Sequence, residues 1–304
     1  MIMPWPKVLI TGGRGRLGTA IQSVASRAGR PVIAVGRDEC DVTDPFMVAE
    51  AVRRIKPDVV VNAAARTAVD QCESEPELTF AVNAAGAGAV AAACAAAGVR
   101  CLHISTDYVF GDDGDAPHKE GATLRPVNIY GASKAEAEAQ VFSAAPDALV
   151  VRTAWLFGDR TDDFIGRLLD ISRQRTIVSV VNDQFGSPSP ILGVAEGLLA
   201  VTQKLHDGGK LPSILHLAGR PAATRADWAE TAFAAAAECG RPPISVKRVK
   251  SEAFPTPARR PLRTALDVAS FERLIGPAPD WRTATEVSVR ARLGSGERPE
   301  DSPV

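Results

Sequence analysis

Short apolar runs alternate with longer alanine-rich stretches through the first half of the chain. The short runs are dominated by valine, isoleucine and leucine, which predicts buried β-strands. The longer stretches repeat apolar residues at helical spacing, which predicts helices between the strands. The predicted strands cover residues 8–10, 31–35, 58–61, 101–104 and 148–151, and the predicted helices cover 17–28, 45–55, 76–97 and the region around 130–134.

Apolar strands separated by helices are typical of a parallel sheet covered on both faces. The sequence therefore predicts an α/β fold with a doubly wound parallel sheet of the Rossmann type. After about residue 150 the alternation loosens, and proline and arginine become frequent. We expect a larger domain over residues 1–150 and a smaller α/β lobe over 151–293 that interleaves with the last sheet elements. Residues 294–304 are polar and are expected to form a disordered tail.

Composition excludes several classes of partner and site. The formal net charge of -1 gives no reason to expect nucleic acid binding. The sequence shows neither an apolar run near the ~20 residues that a membrane helix needs nor a secretory signal, so we expect a cytoplasmic protein without a membrane partner. The five cysteines are irregularly spaced, which favours neither a disulfide framework nor a zinc site, and no metal site is predicted.

A glycine-rich turn follows the first predicted strand and precedes the first predicted helix. Gly12, Gly15 and Gly18 lie in it, together with Arg16 and Leu17. Glycines at these positions permit a tight turn and let the backbone approach a pyrophosphate at the positive end of a helix. Because the surrounding strand and helix are both predicted, we expect residues 1–150 to bind a dinucleotide.

The second predicted strand ends in Gly36-Arg37, where an acidic residue is typical of NAD-binding sites. Arg14 and Arg37 supply guanidinium groups that suit the 2′-phosphate of NADPH. Asp38 follows directly and leaves NADH open as a cofactor. The alternative for both arginines is an ordinary solvated surface charge.

Tyr130 and Lys134 are four residues apart and therefore lie on the same face of a helix. An ammonium group beside a phenol lowers a pKa that starts at about 10. A tyrosine of this kind can donate a proton near neutral pH. Thr106 follows a buried strand, and ligands of open α/β sheets bind beyond the carboxyl ends of the strands. The alternative for Thr106 is a residue that closes a local turn.

These motifs together resemble the extended short-chain dehydrogenase/reductases, and longer runs resemble the dTDP-4-dehydrorhamnose reductase family. The resemblance extends from about residue 7 to about residue 281. The runs that carry it are residues 57–65, 67–70, 73–77, 105–110, 152–155, 181–188 and 255–261.

The resemblance implies an NADPH-dependent reduction at C4 of a dTDP-4-keto-6-deoxyhexose in nucleotide-sugar and polysaccharide biosynthesis. It implies that Tyr130 protonates the oxygen, that Lys134 lowers the pKa of Tyr130 and holds the nicotinamide ribose, and that Thr106 polarises the carbonyl. The lobe over 151–293 would bind the substrate.

Further binding residues follow from the same resemblance. For the cofactor it implies Asp41 and Val42 beside the adenine, and Ala63, Ala64 and Ala65 along the adenosine ribose. For the substrate it implies Thr67, Val69, Thr106, Asp107, Trp155, Gln184 and Arg260. Trp155 has a structural alternative, because a tryptophan after a buried strand is often a core residue.

Three alternatives stay open at the level of sequence. A similar pocket could yield a talose-type epimer or accept a GDP-linked sugar, since facial selectivity depends on fine placement of the ketone. A non-catalytic regulatory subunit that binds a dinucleotide is the third. Arg16 and Arg66 depart from the family pattern, and Arg66 lies beside the implied sugar pocket. A homodimer is also compatible with the resemblance.

Overall fold

The centre of the molecule is a six-stranded parallel sheet. The computed structural model describes residues 4–112, 117–158, 160 and 163–294. The described strands are β1 Val8–Thr11, β2 Val32–Val35, β3 Val59–Asn62, β4 Arg100–Thr106, β5 Leu149–Thr153, β6 Leu156–Phe157, β7 Ile177–Val181, β8 Phe185–Gly186, β9 Ser189–Pro190, β10 Ile214–His216, β11 Ala223–Thr224 and β12 Ser245–Val249.

Helices connect these strands and cover the sheet. The described α-helices are α1 Arg16–Arg27, α2 Pro45–Ile55, α3 Val69–Ser74, α4 Pro76–Phe80, α5 Gly86–Ala97, α6 Ile129–Ala144, α7 Phe164–Ile171, α8 Ile191–His206, α9 Arg225–Glu238, α10 Ala269–Leu274 and α11 Trp281–Gly294. Helix α1 packs against α8, while α5 packs against both α2 and α6. Two separate apolar clusters, one containing α1 and α8 and the other α2, α5 and α6, therefore form the core.

The strand order β10-β5-β4-β3-β1-β2 places a crevice at the carboxyl ends of β1 and β3. Strand β1 lies between β2 and β3. The chain adds β2 on one side of β1, then crosses over and adds β3, β4 and β5 on the other side. An open α/β sheet binds its ligand at such a switch point. Thr11, Asn62 and Thr106 end β1, β3 and β4, and their side chains therefore lie at this edge.

A third apolar cluster lies away from the main sheet. Helices α7, α9 and α11 pack with the parallel pair β7 and β12. Trp228 and Trp281 are fully buried there, and the indole N–H of Trp228 donates to Thr285 Oγ1 at 3.0 Å. Buried indoles are satisfied in this way when they lie in a core.

The predicted fold class is confirmed, and several bounds agree closely with the prediction. The expected division at residue 150 falls inside β5, and the later strand β10 pairs with β5 in the main sheet while α8 packs against α1. The division into two domains therefore stays a prediction. Gly294 ends α11, and residues 295–304, the remainder of the predicted tail, lie outside the described residues.

The predicted helix over 76–97 contains a π-helical segment, Ala81–Ala85, between α4 and α5. Among the described residues, one helical stretch, Pro76–Ala97, is long and apolar enough to span a membrane, judged by length and composition alone. Its residues Ala87, Val90 and Cys94 are buried in the sheet core. We therefore interpret it as the core helix of an α/β sheet.

Candidate active site

The glycine turn after β1 is shaped for a phosphate. Gly12 has φ of 68°, and a Cβ there would lie 2.6 Å from the backbone of Ala64. A Cβ on Gly18 would lie 2.5 Å from the carbonyl oxygen of Gly12. The N-cap of α1 is Gly15, which has no side chain, and the first turn of α1 has no acidic residue. The positive end of α1 is thus available to a pyrophosphate.

Two other residues of this turn have structural contacts. The Arg16 guanidinium donates to the carbonyl oxygen of Leu156 at 3.0 Å, which links the turn to β6. Leu17 is buried in the apolar cluster beneath the sheet. The side chain of Leu17 therefore packs in the core, so any contact it makes with a cofactor is through its backbone.

The predicted adenosine end of the cofactor site carries charges of both signs. Arg14 lies against Gly36 and pairs with Asp38 at 2.7 Å. Arg37 pairs with Asp41 at 2.8 Å. Both guanidinium groups are largely exposed, so these pairs are weak and can rearrange.

The two residues expected beside the adenine differ in burial. Asp41 accepts hydrogen bonds from the backbone and hydroxyl of Thr43, and these bonds hold its pKa below the usual value. Val42 is buried, and a Cβ on Gly86 would lie 2.8 Å from its methyl carbon. Ala63, Ala64 and Ala65, the residues expected along the ribose, continue from the end of β3 as a half-buried segment.

The predicted proton donor lies at the start of α6, facing the end of β4. The side chain of Asn128 caps this helix by accepting from the N–H of Gly131 at 2.8 Å. The Thr106 side chain lies close enough to Tyr130 to lower its pKa, and the Thr106 hydroxyl donates to Asp107 Oδ1 at 3.0 Å. Thr106 Oγ1 also accepts from the backbone N–H of Tyr108 at 3.2 Å. The strand end and the helix start thus bring together the two side chains that sequence analysis placed at the reaction centre.

The structure does not show Lys134 lowering the pKa of Tyr130. Burial raises the pKa of Tyr130 well above its usual value, and the nearby Thr106 side chain only partly opposes this. The Lys134 Nζ atom instead lies 2.9 Å from His103 Nε2 and donates to the carbonyl oxygen of Ile104 at 2.7 Å. Burial lowers the pKa of Lys134 to about 8. The helical spacing predicted a shared face correctly, but buried acceptors on β4 compete for the ammonium group.

Asp107 is a buried carboxyl group beside Thr106. Burial raises the pKa of Asp107 to about 6, against hydrogen bonds from Thr264 and Thr106 that lower it. Its Oδ2 atom has no hydrogen-bond partner among the described residues. A buried, unpaired carboxyl oxygen is costly and is typical of a site that binds a polar ligand.

Trp155 is held under a guanidinium group. Its backbone has φ of 40°, a left-handed conformation that is strained for a bulky residue. The Cζ atom of Arg225 lies 3.5 Å from the centre of its ring, and a Cβ on Gly186 would lie 2.4 Å from the ring. Trp155 is therefore a platform for Arg225, which lessens the ring face available to a sugar.

Sequence analysis missed Arg225. The capping box of Thr224 and Asp227 places Arg225 at the first position of α9 and is visible in the sequence. The stacking on Trp155 is not, because the two residues are 70 positions apart and meet only through the fold.

A cavity of about 800 Å³ adjoins Arg225 and lies between the C-terminal elements. Gln184 and Arg260 line it as well, beside the rings of Phe164 and Phe254. Arg260 forms a two-pronged pair with Asp70 at 2.7 and 2.9 Å. Guanidinium groups and aromatic rings in one cavity suit a ligand that carries both phosphate and a base.

The remaining residues of the implied sugar pocket lie after β3. Thr67 is exposed in the connecting loop, and Val69 is the first residue of α3. Arg66, the departure from the family pattern, pairs with Glu75 at 2.7 Å. Among the residues that the structure describes, no three His, Cys, Asp or Glu side chains form a group that could hold a metal ion.

Comparisons with known proteins agree with this geometry. The chain is 40% identical over 294 residues to dTDP-4-dehydrorhamnose reductase of Mycolicibacterium smegmatis, covering 95% of this chain and 86% of that protein. A crystal structure of a dTDP-4-dehydrorhamnose reductase from Clostridium acetobutylicum superposes with a TM-score of 0.85 at 30% identity, covering 94% of this chain and 99% of that one.

The Bacillus anthracis enzyme of the same name, solved in complex with NADP, has a TM-score of 0.82 at 30% identity, covering 93% and 98% of the two chains. The family model described as RmlD substrate binding domain matches residues 6–292. The chain belongs to the RmlD family, that of the dTDP-4-dehydrorhamnose reductases.

Proposed function

We propose that this protein reduces the C4 ketone of dTDP-4-dehydro-β-L-rhamnose to dTDP-L-rhamnose with NADPH. The observation that carries the proposal is the proximity of the Tyr130 and Thr106 side chains at the end of β4, which acts on the pKa of Tyr130. These two side chains lie on the same edge of the sheet as the glycine turn after β1. A proton donor and a dinucleotide cradle at one edge are what carbonyl reduction requires.

The residues present fit NADPH. Gly12, Gly15 and Gly18 would hold the pyrophosphate, since any side chain at Gly12 or Gly18 would fill the turn. The exposed Arg14 and Arg37 would exchange their carboxylate partners, Asp38 and Asp41, for the 2′-phosphate. When bound, NADPH supplies the hydride that reduces the ketone.

The protein's own residues orient the ketone and supply the proton. Tyr130 keeps its proton at neutral pH because burial raises its pKa, so it is a donor to the developing alkoxide. The Thr106 hydroxyl, which donates to Asp107 Oδ1 at 3.0 Å, would turn its O–H to the same oxygen when the ketone is bound. Asp107 Oδ2 accepts a hydrogen bond from a sugar hydroxyl, which satisfies its unpaired oxygen.

The nucleotide would occupy the cavity of about 800 Å³. Arg225 and Arg260 line it, and the charges of both act on Tyr108, whose ring meets that of Tyr130 edge-on. They would bind the diphosphate, while Phe164 or Phe254 offers a face to the base. Gln184, whose amide donates to Ser251 at 3.0 Å, would contact the nucleotide.

The test is to mix the protein with NADPH and dTDP-4-dehydro-β-L-rhamnose, and to identify the product by NMR. We expect NADPH consumption and a rhamnose-configured C4. A talose-configured product would show that the pocket presents the other face of the ketone. NADPH binding without consumption would favour the regulatory-subunit alternative.

We also propose that the protein is cytoplasmic and that it forms a homodimer. We propose further that the chain divides into two domains near residue 150.

A further inference from the structure

A buried chain of hydrogen bonds runs beneath the reaction centre from β1 to α6. Thr11 Oγ1 donates to Asn62 Oδ1 at 2.8 Å, and Asn62 Nδ2 lies 3.1 Å from His103 Nδ1. On its other side, His103 Nε2 lies 2.9 Å from Lys134 Nζ. The side chains of all four residues are buried.

The direction of these hydrogen bonds can be worked out. The backbone N–H of Ala64 can only donate, and it points at Asn62 Oδ1 at 3.2 Å. The amide of Asn62 must therefore present its oxygen to Ala64 and its NH₂ group to His103. It follows that His103 Nδ1 accepts a hydrogen bond.

The position of the hydrogen on the His103 ring determines which hydrogen bond Lys134 can make. A neutral imidazole carries one hydrogen, so His103 must carry it on Nε2. Burial lowers the pKa of His103 well below the usual value, which supports a neutral ring. The Nε2–H then faces Lys134 Nζ. An ammonium group has no acceptor, so the Nζ atom that meets this donor is a neutral amine, with one N–H directed to Ile104.

We propose that His103 is a positioning residue that stabilises Lys134 as a neutral amine and so sets the pH at which Lys134 carries a charge. The role of Lys134 in the reaction rests on the proposed function. The assignment of hydrogens does not. Lys134 lies one helical turn from Tyr130, so its protonation decides whether a cation is present beside the proton donor.

Other charged groups around Lys134 leave this role to His103. Glu138 follows on α6 and raises the pKa of Lys134, but less than burial lowers it. Both oxygens of Glu138 are bound by Arg152 of β5, at 2.8 and 2.6 Å. Ser105 of β4 donates to Glu138 as well. Beyond His103, β1 and β3 contribute only the uncharged Thr11 and Asn62 to the chain.

The first test reads the hydrogen on His103 by ¹H–¹⁵N correlation NMR of histidine-labelled protein. The chain has four histidines, and the His103 signals are those lost in His103→Gln. We expect a neutral ring with hydrogen on Nε2 at about pH 9, where Lys134, with its pKa of about 8, is deprotonated. Hydrogen on Nδ1, or an imidazolium ion, would overturn the proposal. This readout is independent of any enzymatic activity, so it separates failure of the proposal from failure of the proposed function.

The second test compares two amides at position 103. In His103→Gln the amide N–H can still reach Lys134, whereas in His103→Asn the side chain is too short to do so. Losing the donor should destabilise the neutral amine. His103→Asn should therefore move the alkaline limb of the kcat profile upward by about one pH unit, and His103→Gln should leave it in place.

The matched control is His216→Gln, because His216 is equally buried and lies outside the chain to Lys134. We expect this variant to keep the wild-type limb, whatever its effect on stability. A limb that stays in place in His103→Asn, or moves equally in the control, would contradict a role through Lys134.

Discussion

At the scale of the residue, the pocket places a raised-pKa carboxyl group, a protonated phenol and a stacked guanidinium side by side. Asp107, Tyr130 and Arg225 come from a turn after β4, from α6 and from α9. The charge of Arg225 acts on Asp107 and lowers its pKa, but burial dominates. Asp107 has an unpaired oxygen, and Trp155, the ring beneath Arg225, has a strained backbone; both are typical of a functional site.

Arg225 is expected to bind the anionic part of the substrate. Arg225→Gln should raise KM for the nucleotide sugar by roughly 10- to 100-fold, because a hydrogen bond to a charged group is lost. The kcat value should change far less. Steady-state kinetics measures both, with Arg290→Gln as a control on an exposed pair of α11. An unchanged KM would exclude Arg225 from substrate binding.

Asp107 is expected to act as a carboxylate. Its pKa of about 6 means that it becomes protonated as the pH falls below 6. The kcat/KM value should therefore decrease through this range in the wild-type protein. Asp107→Asn should have a lower kcat/KM at neutral pH and no acidic limb near pH 6. A pH profile of both proteins checks this, and an acidic limb retained in the variant would assign it to another group.

Sequence analysis could predict that Tyr130 and Lys134 share a helix and that Thr106 ends a strand, because helical spacing and strand ends are local properties. It could not locate the partner of Lys134, since His103 is 31 residues away and reaches it only through the sheet. The same holds for Arg225 and its ring. Local pattern identifies which chemistry is available, whereas tertiary contact decides which partner each group takes.

At the scale of the element, close backbone approaches set the geometry of the site. A Cβ on Gly131 would lie 2.1 Å from the carbonyl oxygen of Tyr108, so only glycine lets α6 pack on the turn after β4. Asn83, in the π-helical segment, donates to the carbonyl oxygen of Arg66 and accepts from its N–H. The uninterrupted helix predicted over 76–97 missed this segment, because its anchor is a loop that periodicity does not reveal.

Gly131→Ala should therefore move α6 and destabilise the fold. We expect a loss of about 1–3 kcal/mol in the free energy of unfolding, as for overpacked cores. The turnover number should fall too, because Tyr130 is the adjacent residue. Urea unfolding measures the stability, with Gly121→Ala as the control, since nothing lies within 4 Å of a Cβ there. Equal stability of the two variants would contradict the close approach.

At the scale of the whole molecule, the alternation of strands and helices was sufficient to predict the sheet. Apart from the edge strand β2, the apolar runs are buried on both faces, so their order in sequence translates directly into a parallel sheet. The second half was predicted less well, because its two-residue strands carry no periodic pattern. Its assembly depends on packing between distant segments, as in the cluster around Trp228.

The stability of the fold should depend on two buried histidines. Burial lowers the pKa of His216 to about 3 and that of His103 well below its usual value. A lowered histidine pKa means that the unfolded chain binds the proton first. Stability is thus present above about pH 6.5 and lost as the pH falls, by up to about 1.4 kcal/mol per pH unit for each histidine.

Asp107 opposes this between about pH 6 and 4, because its raised pKa favours the folded state on protonation. Because two histidines oppose one carboxyl group, the free energy of unfolding still decreases overall as the pH falls. Urea midpoints from pH 7.5 down to 4.5 should show it, with a shallower slope in His216→Gln. If the urea midpoint of His216→Gln varied with pH as steeply as that of the wild-type protein, His216 would not contribute to the pH dependence of stability.

The central claim is that Tyr130 donates the proton in an NADPH-dependent ketone reduction. The most direct measurement is a single-turnover reaction, in which the nicotinamide absorbance is followed with dTDP-4-dehydro-β-L-rhamnose in excess over enzyme-bound NADPH. The account predicts complete decay with the wild-type protein and a decay at least about 100-fold slower with Tyr130→Phe, while both bind NADPH equally. A wild-type protein that binds NADPH without consuming it, or a Tyr130→Phe variant with a near-normal rate, would contradict the account.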